Sequence, residues 1–306
     1  MIWLLLLAAL IALPFGIEAA RRPMNAKARA TAPGQCAALS QGVTHYQWTG
    51  PVTGPVVVCV HGLTTPSFVW DSIAEGLAAK GFRVLRYDLY GRGFSDRPRW
   101  VQSKAFFLQQ LGDLLADQRV TGPVTVIGYS MGGVIATAFA ASAPAQVRQV
   151  VLLAPAGMQA VGATGFGALV RLPWVGRWLM LACYPWVLRR GIRAEAQLPT
   201  SVPDITAMQA EQLKTRGFIP AVHASLLGML TDDFQGEHET LHRAGLPVLA
   251  IWGEDDDVIP LAAQDQLTAW NPTAQNVTIK GAGHGLPYTH TAEVLAQTLP
   301  FLARGS

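Results

Sequence analysis

Short apolar runs rich in β-branched residues recur along this chain and alternate with segments of helical periodicity. Continuous apolar strands of this kind are buried on both faces, so the alternation predicts an α/β fold with a mostly parallel sheet between layers of helices. The predicted strands are residues 43–48, 56–60, 83–87, 124–127, 150–153, 248–252 and 276–279. The predicted helices are residues 70–80, 104–117, 131–141, 261–270 and 291–302.

The alternation is interrupted once, between the strand that ends near Ala154 and the strand that starts at Val248. Because a crossover helix needs far fewer residues, we predict a helical insertion that caps the carboxyl ends of the strands and supplies an apolar pocket. Two alternatives stay open: its aromatic residues form a small core of their own, or an arginine-rich aromatic helix lies against a membrane. The predicted divisions are residues 1–20 (apolar segment), 21–39 (linker), 40–157 (first part of the core), 158–244 (the insertion) and 245–306 (second part of the core).

The N-terminal segment is an apolar run over residues 2–17, with no Lys or Arg ahead of it. A secretory signal has a basic start and small residues at its cleavage site, whereas the candidate sites here include Ile17 or Glu18. The segment therefore favours a retained membrane anchor over a cleaved signal, which would leave the protein secreted or periplasmic. Four basic residues follow the run, so the positive-inside rule predicts a cytoplasmic catalytic body.

Charge and cysteine content argue against several classes of function. The formal net charge of +3 arises within residues 1–29, so the rest of the chain is balanced and has no basic face for nucleic acid. The three cysteines cannot all pair, and none has the spacing of a redox pair. The sequence also lacks metal-ligand spacing and a glycine-rich phosphate loop, so we predict no metal and no cofactor.

The strongest chemical motif is the segment 124–133, where an apolar strand runs into Gly-x-Ser-x-Gly and then into an Ala-rich helical pattern. A serine on a sharp turn between strand and helix is pushed out of the sheet, and the flanking glycines let the two backbones approach each other. The turn also brings the backbone N–H of Met131 and the positive end of the helix beside an oxyanion formed at Ser130. We therefore predict Ser130 as a catalytic nucleophile.

A serine hydroxyl becomes a good nucleophile when an imidazole takes its proton and a carboxylate fixes the imidazole tautomer. The chain supplies both groups after predicted strands. Strand 248–252 runs into an acidic turn with three consecutive aspartates, and strand 276–279 runs into Gly-Ala-Gly-His, which ends at His284. The carboxyl ends of parallel strands meet at one edge of a sheet, so we expect an acid, His284 and Ser130 to lie together there.

These motifs, in the order Ser, Asp, His, resemble those of the α/β-hydrolase superfamily in the branch that carries a helical cap. The resemblance spans about residues 40–303. The segment His61-Gly62-Leu63 is similar to the family's oxyanion loop, which implies that the backbone N–H of Leu63 acts together with that of Met131. The loop over residues 88–95 resembles an Asp-x-x-Gly-x-Gly-x-Ser loop that is structural in the family.

The resemblance also selects the acid and the base. In the family's acid loop the carboxylate stands three residues after Gly and four before Pro, and this spacing selects Asp256. Asp255 or Asp257 is the alternative if the loop is shifted by one residue. The Gly-x-Gly-His loop selects His284.

The resemblance implies a serine hydrolase (EC 3.1.1) that cleaves carboxylic esters of small to medium apolar substrates through an acyl-enzyme. A C–C bond hydrolase of the meta-cleavage type, a cofactor-free perhydrolase or haloperoxidase, and an acyltransferase are alternatives on the same triad. The alternative that is not an enzyme is a ligand-binding receptor on a hydrolase scaffold. The predicted partners are a small-molecule ester and, through residues 1–20, a membrane.

Overall fold

The computed structural model describes residues 1–158 and 165–304, and these contain an eight-stranded sheet. The strands are β1 (Gln35–Leu39), β2 (Gly42–Thr49), β3 (Val56–Val60), β4 (Arg83–Tyr87), β5 (Val124–Tyr129), β6 (Val147–Leu153), β7 (Val248–Gly253) and β8 (Gln275–Ile279). Their order is β1-β2-β4-β3-β5-β6-β7-β8. The pairs β1–β2 and β2–β4 are antiparallel, and all the others are parallel. The predicted α/β fold with a mostly parallel sheet is confirmed.

Helices surround the sheet on both faces. They are α1 (Ile2–Ala20), α2 (Ala26–Arg29), α3 (Asp71–Ala78), α4 (Lys104–Asp117), α5 (Met131–Ser142), α6 (Gly165–Val170), α7 (Val175–Glu195), α8 (Ile205–Gln212), α9 (Phe218–Leu226), α10 (Gln235–Arg243), α11 (Ala262–Trp270), α12 (Leu286–Thr289) and α13 (Thr291–Arg304). Short 3-10 turns occur at Ser67–Trp70 and Pro144–Gln146. The predicted helix over residues 104–117 has the same bounds as α4.

The central strands are buried on both faces, which explains why their sequences are apolar throughout. Along β3, Val58 and Val60 pack in one hydrophobic layer, while Val57 and Cys59 pack in the layer on the opposite face. This alternation follows from the two-residue period of a strand. The sheet is thus covered by a hydrophobic layer on each face, and the loops at the carboxyl ends of its strands extend from this buried base.

The sheet extends further toward the N-terminus than the sequence indicated, because β1 lies inside the predicted linker over residues 21–39. Only Ala37 of β1 is buried, so this edge strand has no apolar alternation that a sequence pattern would reveal. It is held by backbone pairing with β2 across a tight turn. Pairing with β2 in the folded protein, rather than the residue types of β1 itself, therefore places this segment in the sheet.

The predicted insertion contains helices α6 to α10 between β6 and β7, and its residues 159–164 lie outside the described residues. Several of its apolar side chains form a separate cluster. These are Val170, Met180, Leu181, Leu213, Phe218, Ile219 and Val222. Trp174 and Trp186 do not join this cluster and are 82% and 63% exposed. The boundaries at residues 158 and 244 stay a prediction.

Helix α1 is, within the described ranges, the one helix long and apolar enough to cross a membrane by length and composition. Its C-terminal end is fixed to the rest of the protein. The buried Glu18 carboxylate accepts hydrogen bonds from the Gly217 backbone N–H and from Arg21, both at 2.5 Å. The Trp178 indole N–H of α7 donates to the Ile11 carbonyl at 3.1 Å. The helix therefore has a defined direction relative to the insertion.

Candidate active site

Ser130 lies on a sharp turn between β5 and α5, with a backbone φ of +54° that an L-residue rarely adopts. The flanking glycines are required by close backbone contacts. A Cβ at Gly132 would stand 2.0 Å from the Val60 carbonyl oxygen, and one at Gly128 would stand 2.3 Å from the Gly132 carbonyl oxygen. The Ser130 backbone N–H donates to the Leu153 carbonyl at 2.9 Å, which ties the turn to β6.

The structure brings Ser130, His284 and Asp256 together. His284 Nε2 is 3.0 Å from Ser130 Oγ, and His284 Nδ1 is 2.8 Å from Asp256 Oδ2. The other Asp256 oxygen accepts the backbone N–H groups of Val258 and Ile259, each at 2.8 Å. An ionised carboxylate is an acceptor only, so this geometry assigns the proton to His284 Nδ1 and leaves Nε2 free to accept the serine proton.

The three consecutive aspartates have different surroundings. Asp256 is buried against His284, whereas Asp255 and Asp257 are exposed. The backbone N–H of Asp255 donates to the Ala282 carbonyl, which joins the acid loop to the loop that carries His284. Of the three, Asp256 is the residue that the structure places in contact with the imidazole.

The predicted oxyanion donors are the backbone N–H groups of Leu63 and Met131. Leu63 lines the same cavity as Ser130, and Met131 is the first residue of α5. Within the described residues, neither backbone N–H donates to a protein acceptor. Their N–H groups are therefore available to an oxygen that develops negative charge, beside the positive end of the α5 dipole.

His61 holds the loop that contains Leu63. Its Nδ1 is 2.8 Å from the Gly62 carbonyl, and its Nε2 accepts the Leu89 backbone N–H at 2.9 Å. Both bonds require the neutral imidazole, with the proton on Nδ1. Complete burial lowers the pKa of His61 from 6.5 to about 4, in agreement with these hydrogen bonds.

We expect the protein to lose stability as the pH falls from 6.5 toward 4. The buried His238 also has its pKa lowered to about 4 by burial, so the unfolded chain takes up two protons in this window that the folded chain does not. Each histidine costs on the order of 3 kcal/mol once the pH reaches the folded pKa. His45 has the opposite effect. Burial alone would lower its pKa, but Asp88 raises it above 6.5, so the stability that His45 contributes is present below pH 6.5 and is lost as the pH rises above that value.

The measurement is the urea midpoint at pH values between 6.5 and 4.5. His238→Gln should flatten this dependence by about half, since it removes one of the two titrating groups. His242→Gln, on the same helix and partly exposed, is the matched control and should leave the slope unchanged. A slope that His238→Gln does not alter would contradict the assignment.

The loop over residues 88–95 is held by the buried Asp88 carboxylate. It accepts the backbone N–H groups of Ser67 and Phe94, each at 2.9 Å, and contacts His45 Nδ1 at 2.7 Å. Burial would raise the pKa of Asp88, but these hydrogen bonds and the histidine charge hold it well below its ordinary value. Asp88 therefore stays ionised and organises the loop.

Arg92, in the same loop, is fully buried and contacts the segment that contains Leu63. Its Nε–H donates to the Leu63 carbonyl at 3.0 Å, and its other N–H groups donate to the Tyr90 carbonyl at 2.9 Å and the Ser225 hydroxyl at 2.8 Å. Burial lowers the pKa of Arg92 to about 9. The sequence motif marked this loop as structural, but the motif does not reveal that Arg92 connects it to Leu63.

A cavity of about 280 Å³ opens beside Ser130 and His284. Its apolar lining comes from the core and from the predicted insertion: Leu63, Ala156, Leu188, Ile192, Leu230, Val258 and Ile259. No Lys or Arg is among the described residues that line it. Over residues 1–158 and 165–304, no group of three or more His, Cys, Asp and Glu side chains is arranged to hold a metal ion.

One wall of this cavity is polar. The Tyr288 hydroxyl donates to the Glu195 carboxylate at 2.8 Å, and the Gln209 amide donates to Thr65 Oγ1 at 3.1 Å and lies 3.5 Å from Glu195. Sequence reasoning missed Glu195 and Tyr288, because they lie about 90 residues apart in the chain and neither belongs to a motif. The cavity therefore has an apolar body with an acidic group at one side.

The fold and this arrangement of side chains define a class of protein, the α/β hydrolases. The chain belongs to the alpha/beta hydrolase fold family, whose family model matches residues 55–291. The pimeloyl-[acyl-carrier protein] methyl ester esterase of Nitrosomonas europaea is 30% identical over 253 residues, which are 78% of this chain and 92% of that protein.

A second relative is named for a different activity, and a solved esterase structure is also similar. The 2-hydroxy-6-oxononadienedioate/2-hydroxy-6-oxononatrienedioate hydrolase of Burkholderia vietnamiensis is 27% identical over 277 residues, covering 85% of this chain and 91% of that protein. A thermophilic esterase from Thermogutta terrifontis superposes with a TM-score of 0.74 at 22% identity, covering 89% and 99% of the two chains. The relatives thus include one named as a methyl ester esterase and one named as a dienedioate/trienedioate hydrolase, and the chain is a member of a hydrolase family.

Proposed function

We propose that this protein is a serine hydrolase of carboxylic esters, with Ser130 as nucleophile, His284 as general base and Asp256 as the group that orients His284. The observation that carries the proposal is the hydrogen-bonded series Asp256–His284–Ser130 at the edge of an apolar cavity. Such a series activates a hydroxyl that is otherwise a poor nucleophile.

The reaction has two acyl-transfer steps. His284 Nε2 takes the Oγ proton as Ser130 attacks the ester carbonyl carbon, and the imidazolium then gives that proton to the leaving alcohol. A water molecule, deprotonated by the same nitrogen, attacks the acyl-enzyme and releases the carboxylic acid with Ser130 restored. The backbone N–H groups of Leu63 and Met131 hold the oxyanion, and each contributes on the order of 3 kcal/mol to the lowering of the barrier.

The charge of the cavity favours a neutral ester over a substrate that carries carboxylates. The Glu195 carboxylate and the absence of lining Lys or Arg in the described residues make the cavity unfavourable for an anion. This observation sets the ester reaction ahead of cleavage of a dicarboxylate, the substrate type in the name of the Burkholderia relative. A volume near the lower end of ligand pockets, which begin at about 300 Å³, favours short to medium acyl groups.

The test is a series of p-nitrophenyl esters from acetate to palmitate, together with labelling by a fluorophosphonate probe. We expect the highest kcat/KM between butyrate and octanoate and a single labelled serine, Ser130, located by peptide mass spectrometry. Absence of turnover across the series and of labelling at Ser130 would refute the esterase proposal. Turnover of a dienedioate faster than of any ester would instead establish the C–C hydrolase.

We also propose that α1 attaches the protein to a membrane, with the catalytic body on the cytoplasmic side. The exposed apolar surface of α1 and the basic residues Arg21 and Arg22 that follow it support this proposal. The full-length protein should remain in the membrane pellet after carbonate washing. A C-terminal reporter that is active only outside the cytoplasm should give no signal, and a periplasmic signal would contradict the orientation.

Replacing Arg92 should lower kcat as well as stability, because Arg92 positions the Leu63 segment. Arg92→Met leaves the Leu63 carbonyl without its donor and removes one of the two donors to the Tyr90 carbonyl, the other being the Gln102 amide. We expect a loss of about 3 kcal/mol or more in unfolding free energy. A displaced oxyanion donor should lower kcat by roughly 10 to 100-fold with little change in KM.

The measurements are kcat, KM and the urea midpoint. Arg86→Met is the matched control, since Arg86 is partly buried and contacts Asp71 and Gln47, away from Leu63. It should reduce stability and leave kcat within about twofold of the wild-type value. If Arg92→Met loses stability while kcat is unchanged, Arg92 has no positioning role.

A further inference from the structure

A second cavity, of about 810 Å³, lies at the C-terminal part of α1, residues 15–19, here called the foot of α1. It shares no lining residue with the active-site cavity. Its walls are the C-terminal end of α1, the segment 96–100, the start of α7, and α9 with the residues just before it. Apart from their part in fixing α1, these residues have no role in the proposed reaction. The cavity is therefore a separate candidate for ligand binding.

Four arginines line this cavity: Arg97, Arg99, Arg177 and Arg216. The two acidic residues in the lining are Glu18 and Asp96, and both are already paired with arginines that do not line the cavity, namely Arg21 and Arg29. Within the described residues, none of the four lining arginines forms an ion pair with a carboxylate. Among the described residues, the lining thus has an excess of positive charge that no carboxylate pairs directly.

Arg97 has the most buried of these side chains. Its guanidinium donates to two backbone carbonyls, that of Gly93 at 2.7 Å and that of Ser95, while its Nε is buried and has no hydrogen-bond partner. Neutral acceptors hold this guanidinium in one orientation, and the Asp88 and Asp96 carboxylates act on its charge without forming an ion pair with it. Burial lowers the pKa of Arg97 to about 10, although Asp88 and Asp96 act to raise it. A bound anion would further offset the cost of burying this guanidinium.

The position of α1 relates the cavity to a lipid surface. Residues 2–13 of α1 are exposed and extend about 18 Å at 1.5 Å per residue, which is less than the roughly 30 Å of a hydrocarbon core. When this part is inserted, the foot of α1 with Phe15 and Glu18 lies at the membrane surface. Trp100 and Leu227, which are 54% and 41% exposed, also line the cavity, and tryptophan is enriched at this depth.

We propose that this cavity binds the phosphate group of an anionic phospholipid whose acyl chains lie along the exposed part of α1. Guanidinium groups form paired, charge-assisted hydrogen bonds with phosphate oxygens. Four arginines offer more hydrogen-bond donors than the two oxygens of one carboxylate can accept, so a phosphate group suits this lining better. A soluble phosphate offers the same headgroup chemistry but lacks the chains that would contact α1. The proposal rests on the membrane attachment of α1 and is independent of ester hydrolysis.

The test uses the full chain in phosphatidylcholine nanodiscs that contain a minor fraction of phosphatidylglycerol, with retained lipid measured by native mass spectrometry. We expect the wild type to retain phosphatidylglycerol in clear excess over its share of the bilayer. The combined variant Arg99→Gln, Arg177→Gln, Arg216→Gln should lower this retention about tenfold or more. Arg97 is left in place because it holds the backbone at Gly93.

The matched control is Arg189→Gln, Arg190→Gln, Arg193→Gln, which removes the same charge from exposed positions of α7 outside the cavity. It should change retention by less than about twofold. Equal loss in both variants would overturn the proposal in favour of general surface attraction. Displacement of the lipid by inorganic phosphate in the wild type would assign the cavity to a soluble anion and would also overturn it.

Folding of each variant is checked by its urea midpoint and by turnover of p-nitrophenyl butyrate, which should stay within about twofold of wild type. The single variant Arg99→Gln, at an exposed position, keeps the test valid if the combined variant does not fold, and it should lower retention about threefold. A wild type without esterase activity that still retains phosphatidylglycerol would refute only the esterase proposal. An active wild type without lipid preference would refute only the lipid site.

Discussion

Ser130→Ala is expected to lower kcat for p-nitrophenyl butyrate by a factor on the order of 10⁵ to 10⁶, with KM little changed. The substitution removes the atom that forms the acyl-enzyme, so His284 has no hydroxyl to deprotonate. The residual rate comes from water attacking an ester held by the cavity and the two backbone N–H donors. No other single side chain in this site should have a larger effect.

The measurement is steady-state turnover of purified protein, with the fluorophosphonate probe as a second readout. Ser142→Ala is the matched control, because Ser142 ends the same helix α5 and its hydroxyl donates to the Phe139 carbonyl, away from the cavity. It should keep full activity and full labelling. A Ser130→Ala protein that retains more than about one per cent of wild-type kcat would rule out the proposed nucleophile.

Asp256→Asn should lower kcat by about 10⁴-fold while the loop keeps its shape. An asparagine Oδ1 can still accept the backbone N–H groups of Val258 and Ile259. Its amide N–H₂ then faces His284 Nδ1, so Nδ1 must accept a hydrogen bond and the imidazole proton moves to Nε2. A protonated Nε2 cannot accept the proton of Ser130.

The neighbouring aspartates give this prediction an internal control. Asp255→Asn and Asp257→Asn remove the same charge from exposed positions in the same loop and should leave kcat within about threefold. The urea midpoint of each variant separates loss of catalysis from loss of structure. A loss at Asp257→Asn as large as that at Asp256→Asn would show that the acid loop is shifted by one residue from the described geometry.

Much of the fold was predictable because its signals are local. A buried parallel strand is apolar along its whole length, and a covering helix has a periodic apolar face, so strands such as β3 and helices such as α4 are visible in short windows of sequence. The edge strand β1 was not predictable in this way. It buries one side chain and is held by backbone hydrogen bonds to β2, which leave no trace in residue types.

Some residues of the candidate site were likewise predictable from local motifs, and others were not. Ser130 and His284 stand in short motifs that follow strand ends, and the resemblance to the family's acid loop favours Asp256 over its two neighbours. Arg92 and Glu195 carry no such offsets. Their importance comes from contacts with residues tens of positions away, such as the Leu63 carbonyl for Arg92 and the Tyr288 hydroxyl for Glu195.

The sequence by itself determined the class of fold, the nucleophile motif and the expected order of acid and base, because each depends on residue type and short spacing. The tertiary structure decided which of three consecutive aspartates contacts His284, the acidic wall of the active-site cavity, and the arginine-lined cavity at the foot of α1. The physical reason is that charge, burial and hydrogen bonding act through space. Residues such as Arg97 and Glu18, far apart in the chain, line one cavity only in the folded protein.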